Sequence, residues 1–161
     1  MQIISKLNRR AGLVFLVLVA TGLFSVRGAL SQSPSQSNRR AIHLPDANLQ
    51  LPFSDGILAG NTLYLAGRIG LDKSGKAPAD INDEIKILLD QVKAVLEQAG
   101  MTMDDLVYVQ IACTDLSLFD KFNPIYRSYF TTKDLPAREF IGAAALLRGG
   151  HFELQAIAVR R

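Results

Sequence analysis

The sequence predicts an α+β domain behind an N-terminal leader, and three observations predict it. An amphipathic helical period runs from Asp80 to Gly100, and a second, aromatic-rich helical segment covers roughly Leu118 to Phe130. Short apolar runs of strand character lie before, between and after them, in the order β-β-α-β-α-β-β. Two helices in that order cover one face of a single sheet. At 161 residues and 48% apolar content the chain suits one packed domain.

The leader comes first. Lys6, Arg9 and Arg10 precede an uncharged apolar run from Ala11 to Val26, and Ala29 and Ser31 then stand in an A-x-S arrangement suited to cleavage before Gln32. This is the layout of a secretory signal over residues 1–31. It predicts export to a periplasmic or secreted location, with membrane anchoring only through an uncleaved leader. The run is shorter than the ~20 residues a spanning helix usually needs. Lys6, Arg9, Arg10 and Arg27 precede Gln32 and no acidic residue does, so residues 32–161 carry 14 basic against 15 acidic side chains, net −1. The whole-chain charge of +3 belongs to the leader, and no nucleic-acid surface follows from it.

Residues 32–48, "QSPSQSNRRAIHLPDAN", are rich in Ser, Gln, Pro and Asn and read as a linker, within which "AIHL" can be tied down as an edge strand. The domain is placed at 49–161. "ILAGNTLYLAGRIGL" is two apolar runs joined at Gly60-Asn61, suited to a type II′ hairpin, and "DKSGKAPAD" is a turn-rich loop. Asp80 caps the first helix, with Asp83 as a loose capping-box partner. Ile81, Ile85, Leu88, Leu89, Val92, Val95, Leu96 and Ala99 repeat at helical spacing, and Gly100 ends it. In "VYVQIACT", Val107, Val109, Ile111 and Cys113 alternate with polar or small residues, as in a strand.

Phe119, Phe122, Tyr126, Tyr129 and Phe130 supply the apolar side of the second helix. Pro124 either kinks it or makes Asn123 an N-cap. "EFIGAAAL" and "HFELQAIAV" are the last two strands. In the final one Phe152, Leu154, Ala156 and Ala158 point one way, and Glu153, Gln155, Ile157 and Val159 the other. With both helices on one face, an apolar second face predicts a homo-oligomer.

The familiar catalytic motifs are absent: no phosphate loop, nucleophile elbow, C-x-x-C or H-x-x-x-H metal pair. No metal site is expected. His43 and His151 read as solvated. Cys113, the sole cysteine, reads as a buried thiol without nucleophile character. The remaining candidates are carboxylates for acid–base work and Arg68, Arg138 and Arg148 for anion binding. Arg138 stands in "LPAREFIGAAAL", at the mouth of an apolar run. A guanidinium there needs an anion, either a carboxylate of the protein (Glu139 or Glu153) or one belonging to a ligand.

"LPFSDGILAGNTLYLAGRIGLD", "GMTMDDLVYVQIACTDLSLFDKFNPIYRSYF", "LPAREFIG" and "FELQAIAVRR" together resemble the Rid family, the reactive intermediate deaminases of the RidA/YjgF group, over about Leu51 to Arg161. The most specific pieces are Pro136-Ala137-Arg138 and the final strand, where Glu153 precedes Ala156-Ile157-Ala158. The resemblance implies a chorismate-mutase-like fold, a homotrimer with clefts between subunits, and a cofactor-free hydrolase. Its reaction would turn 2-imino or 2-enamino acids into 2-keto acids and ammonia.

Carried onto this chain, the resemblance gives Arg138 the substrate carboxylate, as a planar guanidinium suits. It gives Glu153 the attacking water and its proton. Asn123 matches a polar residue near the cleft, although a helix cap accounts for it as well. Gly67 and Arg68 fall in the family's usual G-Q-I segment. Three departures stand out: Phe53 where the family's deaminases often have tyrosine, Phe140 where some have cysteine, and Arg68 where glutamine is usual. They point to a substrate that is larger, more apolar or more acidic than 2-aminoacrylate. A non-catalytic small-carboxylate-binding protein using the same cleft is the alternative.

Overall fold

Helix α1 spans Ile81–Gln98 and organises the domain. The Asp80 side chain accepts the Asn82 N–H at its start, and Gly100, at φ 71°, lets the chain leave at its end. Asp83 pairs with Lys86. Ile85, Leu88, Leu89, Val92, Val95 and Leu96 are fully buried along one stripe, each contributing about 1.5–3 kcal/mol of burial. The structure is a computed structural model describing residues 38–161, so the expected leader and the first part of the expected linker lie outside the described residues.

Among the described residues six strands form one sheet: β1 Arg39–Ile42, β2 Gly56–Ala59, β3 Thr62–Ile69, β4 Leu106–Cys113, β5 Ala137–Gly142 and β6 Phe152–Val159. Their order is β1-β2-β3-β6-β4-β5; β4 and β5 are parallel and the other neighbours antiparallel. The sheet is therefore mixed. Helix α2, Phe119–Arg127, lies with α1 on one face of it.

Several boundaries differ from the sequence reading. Within the expected linker, Arg39–Ile42 is paired with β2 as an edge strand, two positions ahead of the "AIHL" alternative. It occupies hydrogen-bonding groups that β2 would otherwise present to solvent. Gly60-Asn61 does make a two-residue hairpin, with Gly60 at φ 63° and no left-handed Asn61, as a II′ turn requires. β5 begins at Ala137 rather than Glu139 and ends at Gly142, because only 137–142 finds a partner along β4. The chain then makes a 3-10 turn at Leu147–Gly149 before β6.

Asn123 is not an N-cap. α2 starts at Phe119 and runs through Pro124, which sits in the helix interior. The preceding 3-10 turn Leu116–Leu118, capped by the Asp115 side chain, sets that earlier start. His151 is not simply solvated either: its ring Nδ1 lies 2.7 Å from Glu84 Oε2. Glu84 is completely buried on α1, and its other oxygen accepts the backbone N–H groups of His151 (2.6 Å) and Phe152 (3.1 Å). Cys113 is buried as expected, and burial raises its thiol above the usual range.

Among the described residues no helix lies on the second face of the sheet. Its side chains are mixed: exposed Tyr64 and Ile141, half-buried Ile157 and Val159, and polar Gln110, Gln155 and Glu139. Ile157, Val159 and apolar residues of other strands lie on it as the sequence predicts, interspersed with these polar side chains.

Candidate active site

The parallel pairing of β4 and β5 sets Arg138 beside the buried Val109, which turns it toward the helix-covered face. There α2 meets it. The guanidinium lies 5.0 Å from the ring centre of Tyr126, 5.5 Å from Phe119 and 5.8 Å from Phe140. Among the described residues its one hydrogen bond to a side chain goes to Asn123 Oδ1, at 2.8 Å. Such ring contacts contribute about 0.5–2 kcal/mol each and leave the in-plane donors unspent.

Neither expected internal carboxylate reaches Arg138. Glu139 points to the opposite face and accepts from Tyr108 Oη and Gln110 Nε2, both at 3.1 Å. Among the described residues no ion pair involves Arg138. Phe140 closes one side by edge-on packing against Phe119 and Phe122. Tyr126 is buried, its hydroxyl has no hydrogen-bond partner among the described residues, and burial pushes its phenol up to about 12 while the charge of Arg138 opposes that.

Phe53, Gly67, Arg68 and Glu153 gather elsewhere. They line a cavity of about 610 Å³ beside the half of β3 that β2 does not cover. Glu153 alternates with buried Phe152 and Leu154, so it leaves β6 on the face opposite the helices. Its carboxylate rests against Gly67, close enough that a Cβ there would collide with it. The β3–β6 register shifts between Leu65 and Arg68, a bulge that re-aims this end of the strand.

Arg68 is not a free cation. It forms an ion pair with Asp55, and both side chains are largely buried. Asp55 also accepts the Leu44 N–H at 2.6 Å, and its carbonyl accepts Ala66 N–H at 3.0 Å. One carboxylate thus joins the 44–55 segment to β3 and neutralises the arginine.

The seven sequence-predicted residues therefore divide in two. Arg138, Asn123 and Phe140 sit under α2; Phe53, Gly67, Arg68 and Glu153 sit at the cavity. In one protomer Arg138 and Glu153 project from opposite faces, three register positions and two strands apart, a Cα separation of roughly 14 Å. Sequence reasoning missed Asp55, Tyr126 and Glu84. Only Glu84 left a signal: with Ile81, Ile85 and Leu88 it occupies the apolar stripe of α1, where a carboxylate needs donors.

Among the described residues no group of His, Cys, Asp and Glu is arranged to hold a metal. Residues 45–160 match the family model described as Endoribonuclease L-PSP. The chain is 35% identical over 113 residues to the 2-iminobutanoate/2-iminopropanoate deaminase of Escherichia coli K12, covering 68% of this chain and 88% of that protein. The protein of the same description from Bos taurus is 33% identical over 111 residues, covering 68% and 80%. Among solved structures, the YjgF gene product of E. coli superposes with a TM-score of 0.69 at 34% identity, covering 76% of this chain and 99% of that one.

Proposed function

The chain belongs to the L-PSP family, the Rid/YjgF proteins, and from that premise we propose that it is an imine/enamine deaminase whose sites lie between subunits of a homotrimer. The observation that carries this reading is the unpaired state of Arg138, a half-buried guanidinium framed by three rings and held by a neutral amide. A substrate carboxylate meets it through two parallel hydrogen bonds. Glu153 comes from the neighbouring copy, because within one chain it projects from the other face.

In the proposed reaction an enamine first tautomerises to the imine, C2 carrying the double-bonded nitrogen. Glu153 takes a proton from water as the water oxygen bonds to C2, and the C=N electron pair moves to nitrogen. Proton transfer to that nitrogen and loss of the second hydroxyl proton then release ammonia and leave the 2-keto acid. Orientation beside the fixed carboxylate and a proton route are the two contributions the protein makes.

Imines generated by an amino-acid oxidase supply the test. Wild type is expected to accelerate formation of keto acid and ammonia over buffer, and Arg138→Ala to lose most of that acceleration. Rates equal to buffer for wild type on every imine would leave only a carboxylate-binding role. Export rests on the leader, and sequencing the mature N-terminus from cell fractions tests it: a start near Gln32 is expected, and a retained Met1 in the cytoplasm would contradict it.

A further inference from the structure

The cavity that holds Glu153 has more to it than a carboxylate. Phe53, Leu51 and Leu147 line it while 56%, 47% and 75% exposed, and Leu44 and Leu71 continue the same wall. Large side chains left open around a concavity mark a surface that something apolar covers.

Charge narrows the choice further. Arg68, the residue that suggested an acidic substrate, has its charge paired with Asp55, although its Nε has no hydrogen-bond partner among the described residues. Around the lining the carboxylates of Asp46, Asp55 and Glu153 outnumber the guanidiniums of Arg68 and Arg148. A second negative group on the substrate would enter a region of net negative charge. A hydrocarbon side chain meets no such penalty.

We propose that this cavity is the side-chain subsite, that it selects 2-imino acids with bulky apolar side chains, such as those derived from leucine, methionine or phenylalanine, and that Asp55 sets this preference by neutralising Arg68. The inference rests on the deaminase reading for its chemistry, since the selected molecule must place C2 beside Glu153. Each added methylene in such a pocket is worth about tenfold or more in kcat/KM. The leucine-derived imine is therefore expected to exceed the alanine-derived one by at least about tenfold, and the glutamate-derived imine to be the poorest.

Two readouts on the full chain separate this inference from the function beneath it. The first is imine hydrolysis across alanine, leucine, phenylalanine and glutamate. The second is calorimetric binding of the corresponding keto acids, pyruvate, 4-methyl-2-oxopentanoate, phenylpyruvate and 2-oxoglutarate. Hydrolysis with the alanine- or glutamate-derived imine preferred, or with no preference, overturns the subsite and leaves the deaminase reading standing. Tight binding of the bulky keto acids without any hydrolysis supports the subsite and overturns the deaminase reading. Neither hydrolysis nor binding overturns both.

Asp55→Asn is expected to shift the glutamate-to-leucine ratio upward by about tenfold, one unbalanced charge's worth. Because Asp55 also holds the 44–55 segment, Leu147→Ser, on an exposed side chain, provides a second variant. It should lower the leucine-to-alanine ratio several-fold, and an unaltered ratio in both variants would count against the proposal.

Discussion

Arg138 and Glu153 occupy two half-sites built on opposite principles. The Arg138 side is aromatic and short of an anion: three rings and one amide surround a guanidinium. The Glu153 side is open, and its largely buried cation, Arg68, is paired with Asp55. Each half lacks what the other offers. On the proposed reading the functional unit is a contact between copies, which would bring the two half-sites together.

The largest expected effects remove one half at a time. Glu153→Gln should lower kcat by about 10²–10⁴-fold, the range for loss of a positioned acid–base group, with KM little affected. Arg138→Ala should lower kcat/KM by about 10²–10³-fold and act mainly through KM and keto-acid affinity, since truncating one member of a charged hydrogen-bonded pair costs about 2–5 kcal/mol. Steady-state kinetics on one imine separates the two. If both variants failed in the same parameter, the division of labour drawn here would be wrong.

Next come the residues that hold each half in place. Glu84 anchors the first residues of β6 immediately before Glu153. Glu84→Leu leaves two backbone N–H groups without a partner, at about 1–3 kcal/mol each, and should cut stability by several kcal/mol in urea denaturation. On the other side, Asp104 accepts from the Thr131 side chain and backbone in the connection between α2 and β5.

These bonds, the Thr131 hydroxyl first, hold the Asp104 carboxyl below its usual 3.8. The stability they contribute is present above pH 3.8 and is lost as pH falls through the lower folded-state value. Thr131→Val should therefore destabilise slightly at pH 7 and much less at pH 2, the smallest effect predicted here. Denaturation midpoints at the two pH values measure it.

Much of the fold was legible because it is periodic. α1, β4 and β6 bury most of the residues that helical and alternating patterns nominate; Val107 is the exception, exposed where the β4–β6 register shifts between Leu106 and Tyr108. What failed depends on partners remote in sequence. β1 is a strand only because β2 has a free edge, and β5 stops where its register along β4 ends. Pro124 suggested a helix start, yet the turn upstream had already begun the helix.

At the site, residue types were legible and their environments were not. Arg68 looks like a loose cation in the sequence; its neutraliser, Asp55, is brought to it only by the fold. Glu84 was visible as a carboxylate on an apolar stripe, while the donors that satisfy it come from β6.

The most direct measurement mixes the two inactive halves. Arg138→Ala and Glu153→Gln chains, unfolded together in equal amounts and refolded, should regain activity at about a quarter of the wild-type sites, because one pairing in four joins an intact Arg138 to an intact Glu153 across a contact. Activity no higher than that of the separate variants, in oligomers shown to be mixed, would contradict a site shared between copies.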